Sequence, residues 1–149
     1  MRYAAALVAV ALPLLAGCAA APVASSPEQT AFLESIASEP TEFEMSREES
    51  NDGWGRAQTF LAKYSTMKIQ NVSDSVVETF NPTPDAFNPG YGYRITRAIQ
   101  SGKSHYTVEC FNGNAYTPGK LVALPARNAR ILARYIRTGD LPHPELVAR

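Results

Sequence analysis

The sequence predicts an α+β fold in which an antiparallel sheet of three to five strands is covered by two helices. Two observations carry this prediction. Apolar residues recur at spacings of three and four over residues 54–64 and 125–138, which is the period of a helix with one buried face. Between these segments, residues 67–110 contain runs of alternating apolar and polar residues, which is the period of strands. Consecutive strand runs joined by short turns favour an antiparallel sheet.

Capping residues and prolines predict the ends of two helices. Ser26–Gln29 combines an N-cap serine with proline at the first helical position, so a short helix is expected there, ending at Glu39-Pro40. The closing helix is expected near Pro125 to Thr138, with Gly139 placed to end it. The proline-containing tail that follows is expected to lie along the surface.

The acidic segment before the tryptophan helix has no sustained pattern. Residues 40–52 are therefore predicted to form a loop, followed by a helix that Asn51 or Asp52 caps. Gly53 and Gly55 would lie in its first turn, where each costs about 1 kcal/mol against alanine. Either these glycines permit a close approach, or the helix starts near Trp54.

Strand-like runs and turn signals predict a meander. The tight turn is expected at Ser101–Lys103, where Gly102 suits a hairpin. Asn112-Gly113 is a second hairpin signal, with a possible short strand at Asn114–Tyr116, and the three prolines of residues 81–89 indicate a loop. The predicted strand runs lie at residues 67–70, 76–80, 91–99 and 105–110.

Charge is unevenly distributed although the chain as a whole is neutral. Residues 19–52 hold eight acidic residues and one arginine, a net charge of −7, whereas residues 53–149 hold twelve basic and six acidic residues, a net charge of +6. An acidic arm competes with phosphate for a basic face, so no nucleic-acid partner is expected.

The N-terminus has the pattern of a secretory signal peptide. Arg2 precedes an uncharged stretch from Tyr3 to Leu15, which is too short for a bilayer because a spanning helix needs about 20 residues. Residues 19–26 lack periodicity and are predicted to form a flexible tether. The chain is therefore divided into a signal peptide (1–17), a segment with the tether, acidic residues and short helix (18–50), and a single α+β domain (51–149).

Leu15-Ala16-Gly17-Cys18 resembles the lipobox of bacterial lipoproteins. The resemblance implies cleavage before Cys18 and a diacylglycerol on its sulfur, with further acylation that includes palmitate. Ala19 stands where an inner-membrane retention signal would have Asp, so the resemblance implies an outer-membrane anchor with the domain facing the periplasm. Lipidation of Cys18 would leave Cys110 without a cysteine partner. An ordinary signal peptide with an incidental cysteine is the alternative.

A second resemblance concerns the domain. The segment Trp54 to Leu61, which reads WxxAxxFL, and the tyrosine-rich third strand resemble small bacterial envelope proteins of unknown function with a TBP-like fold. The resemblance covers about 80 residues and implies a meander closed by a helix.

Four arginines lie on one side of the closing helix. Their spacing of three, four and three would form a cationic ridge able to bind phosphate, carboxylate or an anionic glycan through bidentate contacts. The ridge could equally be a solvated helix face, or the acidic arm could lie against it. The four residues are Arg127, Arg130, Arg134 and Arg137.

Aromatic residues on the strands and the tryptophan helix have two interpretations. Aromatics at alternating strand positions are usually core, although they could also form a platform for sugar rings. The residues concerned are Trp54, Tyr91, Tyr93 and Tyr106.

No catalytic or metal signature is present in the sequence. Cys110 and His105 are five apart on one strand and so face opposite sides of the sheet, and His143 lies in a proline-flanked tail. Two histidines without a spare cysteine do not make a zinc set, and no cofactor is expected.

The sequence therefore favours a membrane-anchored envelope lipoprotein that acts as a non-enzymatic binding or accessory module in the periplasm. The expected partners are the membrane, through lipid at Cys18, and a protein or anionic glycan. An enzyme or enzyme accessory acting on cell-wall material, and a purely structural envelope protein, are the alternatives.

Overall fold

The computed structural model describes residues 25–82, 90–112 and 123–147. The predictions for the signal peptide, for Cys18 and for most of the tether lie outside the described residues. So do most of the loop predicted at residues 81–89 and the second hairpin with its short strand at residues 114–116.

The described residues form three α-helices, five strands and one turn of 3₁₀ helix. In chain order the helices and strands are α1 (Pro27–Ile36), β1 (Glu42–Ser46), α2 (Arg47–Tyr64), β2 (Ile69–Val72), β3 (Val76–Thr79), β4 (Tyr91–Gln100), β5 (Lys103–Asn112) and α3 (Ala123–Thr138). The 3₁₀ turn covers Pro144–Leu146.

The five strands form one antiparallel sheet in the order β1-β5-β4-β3-β2. Strands β2 to β5 follow one another as a meander, and β1 is added at the free side of β5. The α+β prediction is confirmed, at the upper limit of the expected strand number. The helices α2 and α3 pack with the sheet around one apolar core, to which Phe60, Val77, Tyr93, Ile95 and Leu132 belong.

The predicted loop over residues 40–52 is wrong, because this segment contains β1 and the first turn of α2. Phe43 and Met45 face the core, whereas Glu42 and Glu44 are exposed. This alternation of period two was present in the sequence, but the high acid content hid it. The predicted boundary between residues 50 and 51 falls inside α2.

The predicted cap of α2 at Asn51 or Asp52 is also wrong. Ser46 caps the helix, and its hydroxyl accepts from the Glu49 N–H at 3.3 Å while the Glu49 carboxylate accepts from the Ser46 N–H. The motif Ser-x-x-Glu, a capping box, was the overlooked sequence signal. Gly53 lies within the helix, where a Cβ would stand 3.0 Å from Met45 Sδ, so this glycine permits the close approach of α2 to β1.

The predicted hairpin turn and the predicted end of the closing helix are confirmed. Ser101 and Gly102 have φ of 49° and 79°, which is the left-handed pair that a tight hairpin needs between β4 and β5. Gly139 has φ of 77° and its N–H donates to the Tyr135 carbonyl at 2.8 Å, which ends α3.

The C-terminal tail lies along the surface, as predicted, and is held in place near its end. Val147 is buried, and Arg127 Nη2 donates to the Leu146 carbonyl at 2.9 Å. Gln29 Nε2 donates to Glu145 Oε1 at 2.9 Å. The tail therefore holds α1 and α3 together at one end of the domain.

Candidate functional site

The four arginines of α3 do not form a uniform external ridge. Arg127 donates to the tail as described above. Arg134 Nη1 lies 3.6 Å from Glu39 Oε1, and Arg137 Nη2 donates to Glu39 Oε2. The hypothesis that the acidic arm lies against the arginines is therefore confirmed at Glu39.

Glu39 is the residue that brings two of these arginines inward. Its side chain is 15% exposed, and it follows α1 in the segment that leads into β1. The guanidinium of Arg134 lies 5.7 Å from the Phe32 ring centroid. The guanidinium of Arg137 lies 5.6 Å from the Phe43 ring centroid. Aromatic faces attract cations, so the rings and the carboxylate together hold both guanidinium groups.

Three other acidic residues of the arm have contacts elsewhere. Glu44 accepts from Lys103 Nζ at 2.7 Å on the open face of the sheet, and this contact lowers the pKa of the Glu44 carboxyl. Glu49 belongs to the α2 cap, and Glu28 accepts from Ser26. The predicted contact between arm and arginines is therefore made by one carboxylate rather than by the arm as a whole.

Three of the arginines have their Nε atoms turned inward. The Nε atoms of Arg127, Arg134 and Arg137 are buried and have no hydrogen-bond partner within the described residues. A bidentate contact to an external anion from the Nε side of these guanidinium groups is therefore blocked by the neighbours that bury them.

Arg130 differs from the other three arginines. It is half-buried, and it has no hydrogen bond or ion pair to any residue in the described part of the chain. It lines a groove of about 500 Å³ between α3, β5 and the segment before β1. The structure thus leaves one of the four predicted residues facing an open concavity.

The groove has a mixed lining of apolar and polar groups. Its lining residues are Glu39, Pro40, Thr41, Val108, Glu109, Cys110, Ala126, Ala129 and Arg130. The proline and alanine side chains contribute apolar surface, and Arg130 supplies a positive charge. This combination resembles a binding surface more than a set of reacting groups.

Cys110 borders the groove but is a poor nucleophile. Burial raises the pKa of its thiol to about 12, and the thiol is hydrogen-bonded to the Tyr93 hydroxyl. The thiolate is the reactive form, so the thiol is almost wholly protonated near neutral pH. Its prediction on the apolar face is confirmed, because it packs against the core.

The two histidines lie apart from this thiol. His105 faces the open side of the sheet, where its Nδ1 is 3.3 Å from Glu44 Oε1, so the predicted separation of His105 from Cys110 is confirmed. The His143 ring packs at a tilt against the Phe32 ring, with centroids 5.4 Å apart, and its Nδ1 is 3.1 Å from Glu145 Oε1.

The aromatic residues form core and not a sugar platform. Trp54 is 7% exposed and the three tyrosines are at most 2% exposed, so none presents a face to a sugar ring. Tyr106 donates to the Ser50 carbonyl at 2.8 Å, and Tyr93 accepts from Asn128 at 3.2 Å. The core interpretation of the strand pattern is confirmed.

The contacts of one half-buried cation, Arg97, are not predicted by the sequence patterns. Arg97 lies 4.6 Å from the Trp54 ring centroid and donates twice to the Asp74 carbonyl, at 2.6 and 3.0 Å. It ties the β2–β3 turn to α2. No local sequence signal marks this role, because its partners come from distant segments.

Within residues 25–82, 90–112 and 123–147, no three His, Cys, Asp or Glu side chains come close enough to share a metal ion. None of the helices in these ranges has the length and apolar character required to cross a bilayer. Comparison with protein-family models gives no match to this chain, and comparison with curated proteins gives none either.

Proposed function

We propose that this chain is an outer-membrane lipoprotein, anchored through lipid at Cys18, whose domain is a non-enzymatic binding module facing the periplasm. The observation that carries the binding role is the groove beside α3, in which Arg130 is a cation without an ion-pair partner among the described residues. The lipobox at Leu15 to Cys18 supports the anchor.

The short connection supports a binding role close to the membrane. Eight residues lie between Cys18 and Pro27, and a fully extended chain of that length reaches roughly 30 Å. A domain on such a connection works near the surface that carries the lipid. Its partners are then envelope proteins or anionic envelope components.

The chemistry of the groove supports an anionic group on the partner. A guanidinium is always charged and presents a planar fork to carboxylate or phosphate. Glu39 lines the same groove, but its carboxylate is paired with Arg134 and Arg137. Glu109, the other acidic lining residue, lies 3.9 Å from Arg94 Nη1. Arg130 is therefore the charge available to a partner.

The test is photo-crosslinking in living cells. A crosslinking amino acid replaces Ala126, which is exposed at the rim of the groove, and the captured partner is identified by mass spectrometry. Charge reversal by Arg130→Glu is expected to abolish the crosslinked product. The matched control is Lys63→Glu at an exposed position of α2, which should leave capture unchanged. Equal capture by the Arg130→Glu protein would remove the groove from the proposal.

A further inference from the structure

One wall of the groove is the edge of a strand. β1 is paired with β5 from Lys103 to Thr107, and the Val108 N–H donates to the Thr41 carbonyl at 2.9 Å. On its other side, β5 is paired with β4 as far as Asn112. Residues 109–112 of β5 therefore have no strand partner on the groove side within the described part of the chain.

The pairing of β1 stops at Pro40 for a chemical reason. Continuing the register of β1 would place Pro40 opposite Glu109, but proline has no N–H to donate to a ladder. The preceding residue, Glu39, is turned toward Arg134 and Arg137 instead. The groove thus occupies the place that a longer β1 would have filled.

The free backbone groups of this edge face the side on which the groove lies. In an antiparallel strand the N–H and C=O groups of alternate residues face the same neighbour. Because Val108 donates toward β1, the N–H and C=O groups of Cys110 and Asn112 face the same side. The open edge spans four residues, or roughly 13 Å, which suits a short extended peptide.

The two outer edges of the sheet are less suited to pairing. The outer edge of β1 carries the exposed charges of Glu42 and Glu44, and β2 is four residues long with a register shift between Ile69 and Asn71. Charges, short length and bulges are devices that keep edges unpaired. The β5 edge instead has a groove and a cation beside it.

We infer that the groove binds an extended peptide segment of a partner protein, which adds a strand to residues 109–112 of β5 and places an acidic side chain against Arg130. This inference rests on the proposed function, since it names the chemistry of the partner at the same groove. A glycan has no row of amide groups to pair with a strand edge, so the edge selects a peptide. Arg130 favours a peptide with an acidic side chain at the facing position.

The test measures amide hydrogen exchange by NMR on the ¹⁵N-labelled mature lipoprotein in detergent micelles. The probe is the blocked pentapeptide acetyl-Thr-Val-Glu-Val-Thr-amide at about 1 mM, within the range of weak peptide affinities. Exchange at Cys110 and Asn112 is expected to slow by about tenfold when their N–H groups donate to the peptide. The same peptide with alternate backbone nitrogens methylated is the matched control and should give no protection.

A charge exchange tests the role of Arg130. Replacing the central Glu of the peptide by Lys is expected to weaken binding about fivefold or more, and the Arg130→Glu protein should reverse that preference. The Arg130→Glu substitution lies at a half-buried position without internal partners among the described residues, and its amide spectrum reports whether it is folded.

Three results would overturn the inference. They are the same exchange rates with and without the pentapeptide, protection of Cys110 and Asn112 already present before peptide is added, and equal binding of the Glu and Lys peptides. Unchanged exchange, or protection already present before peptide is added, excludes strand addition, and the proposed function stands if capture in cells still depends on Arg130. Equal binding of the Glu and Lys peptides excludes the contact between Arg130 and an acidic side chain. If capture does not depend on Arg130, the groove is removed from the proposed function whatever the peptide result.

Discussion

Glu39 and Arg137 are 98 residues apart in the sequence, and their side chains form a hydrogen-bonded ion pair. The pair joins the segment between α1 and β1 to the last turn of α3. The Arg137 guanidinium also lies over the Phe43 ring, so an ion pair and a cation–ring contact hold the same side chain. Because of this contact, part of the predicted cationic ridge is paired within the domain and is not free to bind a partner.

Removing the charge of Glu39 should therefore destabilise the domain. Glu39→Gln is expected to lower the free energy of unfolding by about 1–3 kcal/mol, between the values for exposed and fully buried pairs, because two half-buried arginines lose their counter-charge. Urea unfolding measures the change. The matched control is Glu42→Gln on the exposed face of β1, expected within about 0.5 kcal/mol of the parent. An equal loss of unfolding free energy in the two variants would contradict a stabilising ion pair at Glu39.

The two glycines of α2 should respond differently to alanine. Gly55→Ala meets no atom within 4 Å and is expected to raise the free energy of unfolding by about 0.5–1 kcal/mol through helix propensity. Gly53→Ala would place a Cβ 3.0 Å from Met45 Sδ and 3.4 Å from Ile136 Cγ2. We expect this variant to be at least about 1 kcal/mol less stable than Gly55→Ala. Thermal unfolding measures both variants. If their free energies of unfolding rise equally, β1 is not held close to α2.

The thiol of Cys110 should be unreactive in the folded protein. In a Cys18→Ser chain it is the one remaining cysteine, so alkylation reports on it alone. With its pKa raised to about 12, its thiolate fraction at pH 8 is roughly a thousandfold below that of an unperturbed thiol. Iodoacetamide labelling should be slow in buffer and fast in urea. Native labelling within tenfold of the unfolded rate would place the thiol at the surface.

The same burial predicts an alkaline loss of stability. The folded protein favours the neutral thiol, so this contribution is complete below the unfolded pKa of about 8.5 and is lost as pH rises toward the folded value of about 12. Between pH 8.5 and 10 the free energy of unfolding should fall by up to about 1.4 kcal/mol per pH unit from this group. Cys110→Ala should remove that slope while lowering stability below pH 8.5, where the thiol is neutral in both states. Parallel curves for the two proteins would exclude the thiol as the source.

The anchor is tested at Cys18 itself. Cys18→Ser removes the sulfur that the lipobox would acylate, so an unprocessed precursor is expected to accumulate in the membrane fraction. Mass spectrometry and fractionation distinguish the precursor from the mature chain. Normal cleavage with release of a soluble domain would show an ordinary signal peptide instead.

Local sequence patterns predicted the elements whose signals lie within a few residues of one another. The β4–β5 hairpin follows from alternation on both sides of Gly102, and the end of α3 follows from Gly139. The start of α2 was mispredicted although its capping box at Ser46 is local, because Asn51 and Asp52 offered a competing start closer to the apolar stripe. β1 is not predicted because acidic residues obscure its short alternation and because its strand state depends on pairing with β5, more than fifty residues away.

The sequence by itself determined the α+β class, because helical and strand periods follow one another along the chain. It also determined the separation of Cys110 from His105, because alternation along one strand fixes the face of each. It also supplies four adjacent residues, Leu15 to Cys18, that resemble a lipobox, and lipidation of Cys18 stays a prediction. Only the tertiary structure decided which arginines of α3 are internal, because Glu39 reaches them across the fold. The groove beside Arg130 likewise exists because Pro40 ends the pairing of β1 before β5 ends. Helical spacing put four guanidinium groups on one face, and contacts between distant segments left one of them open to the groove.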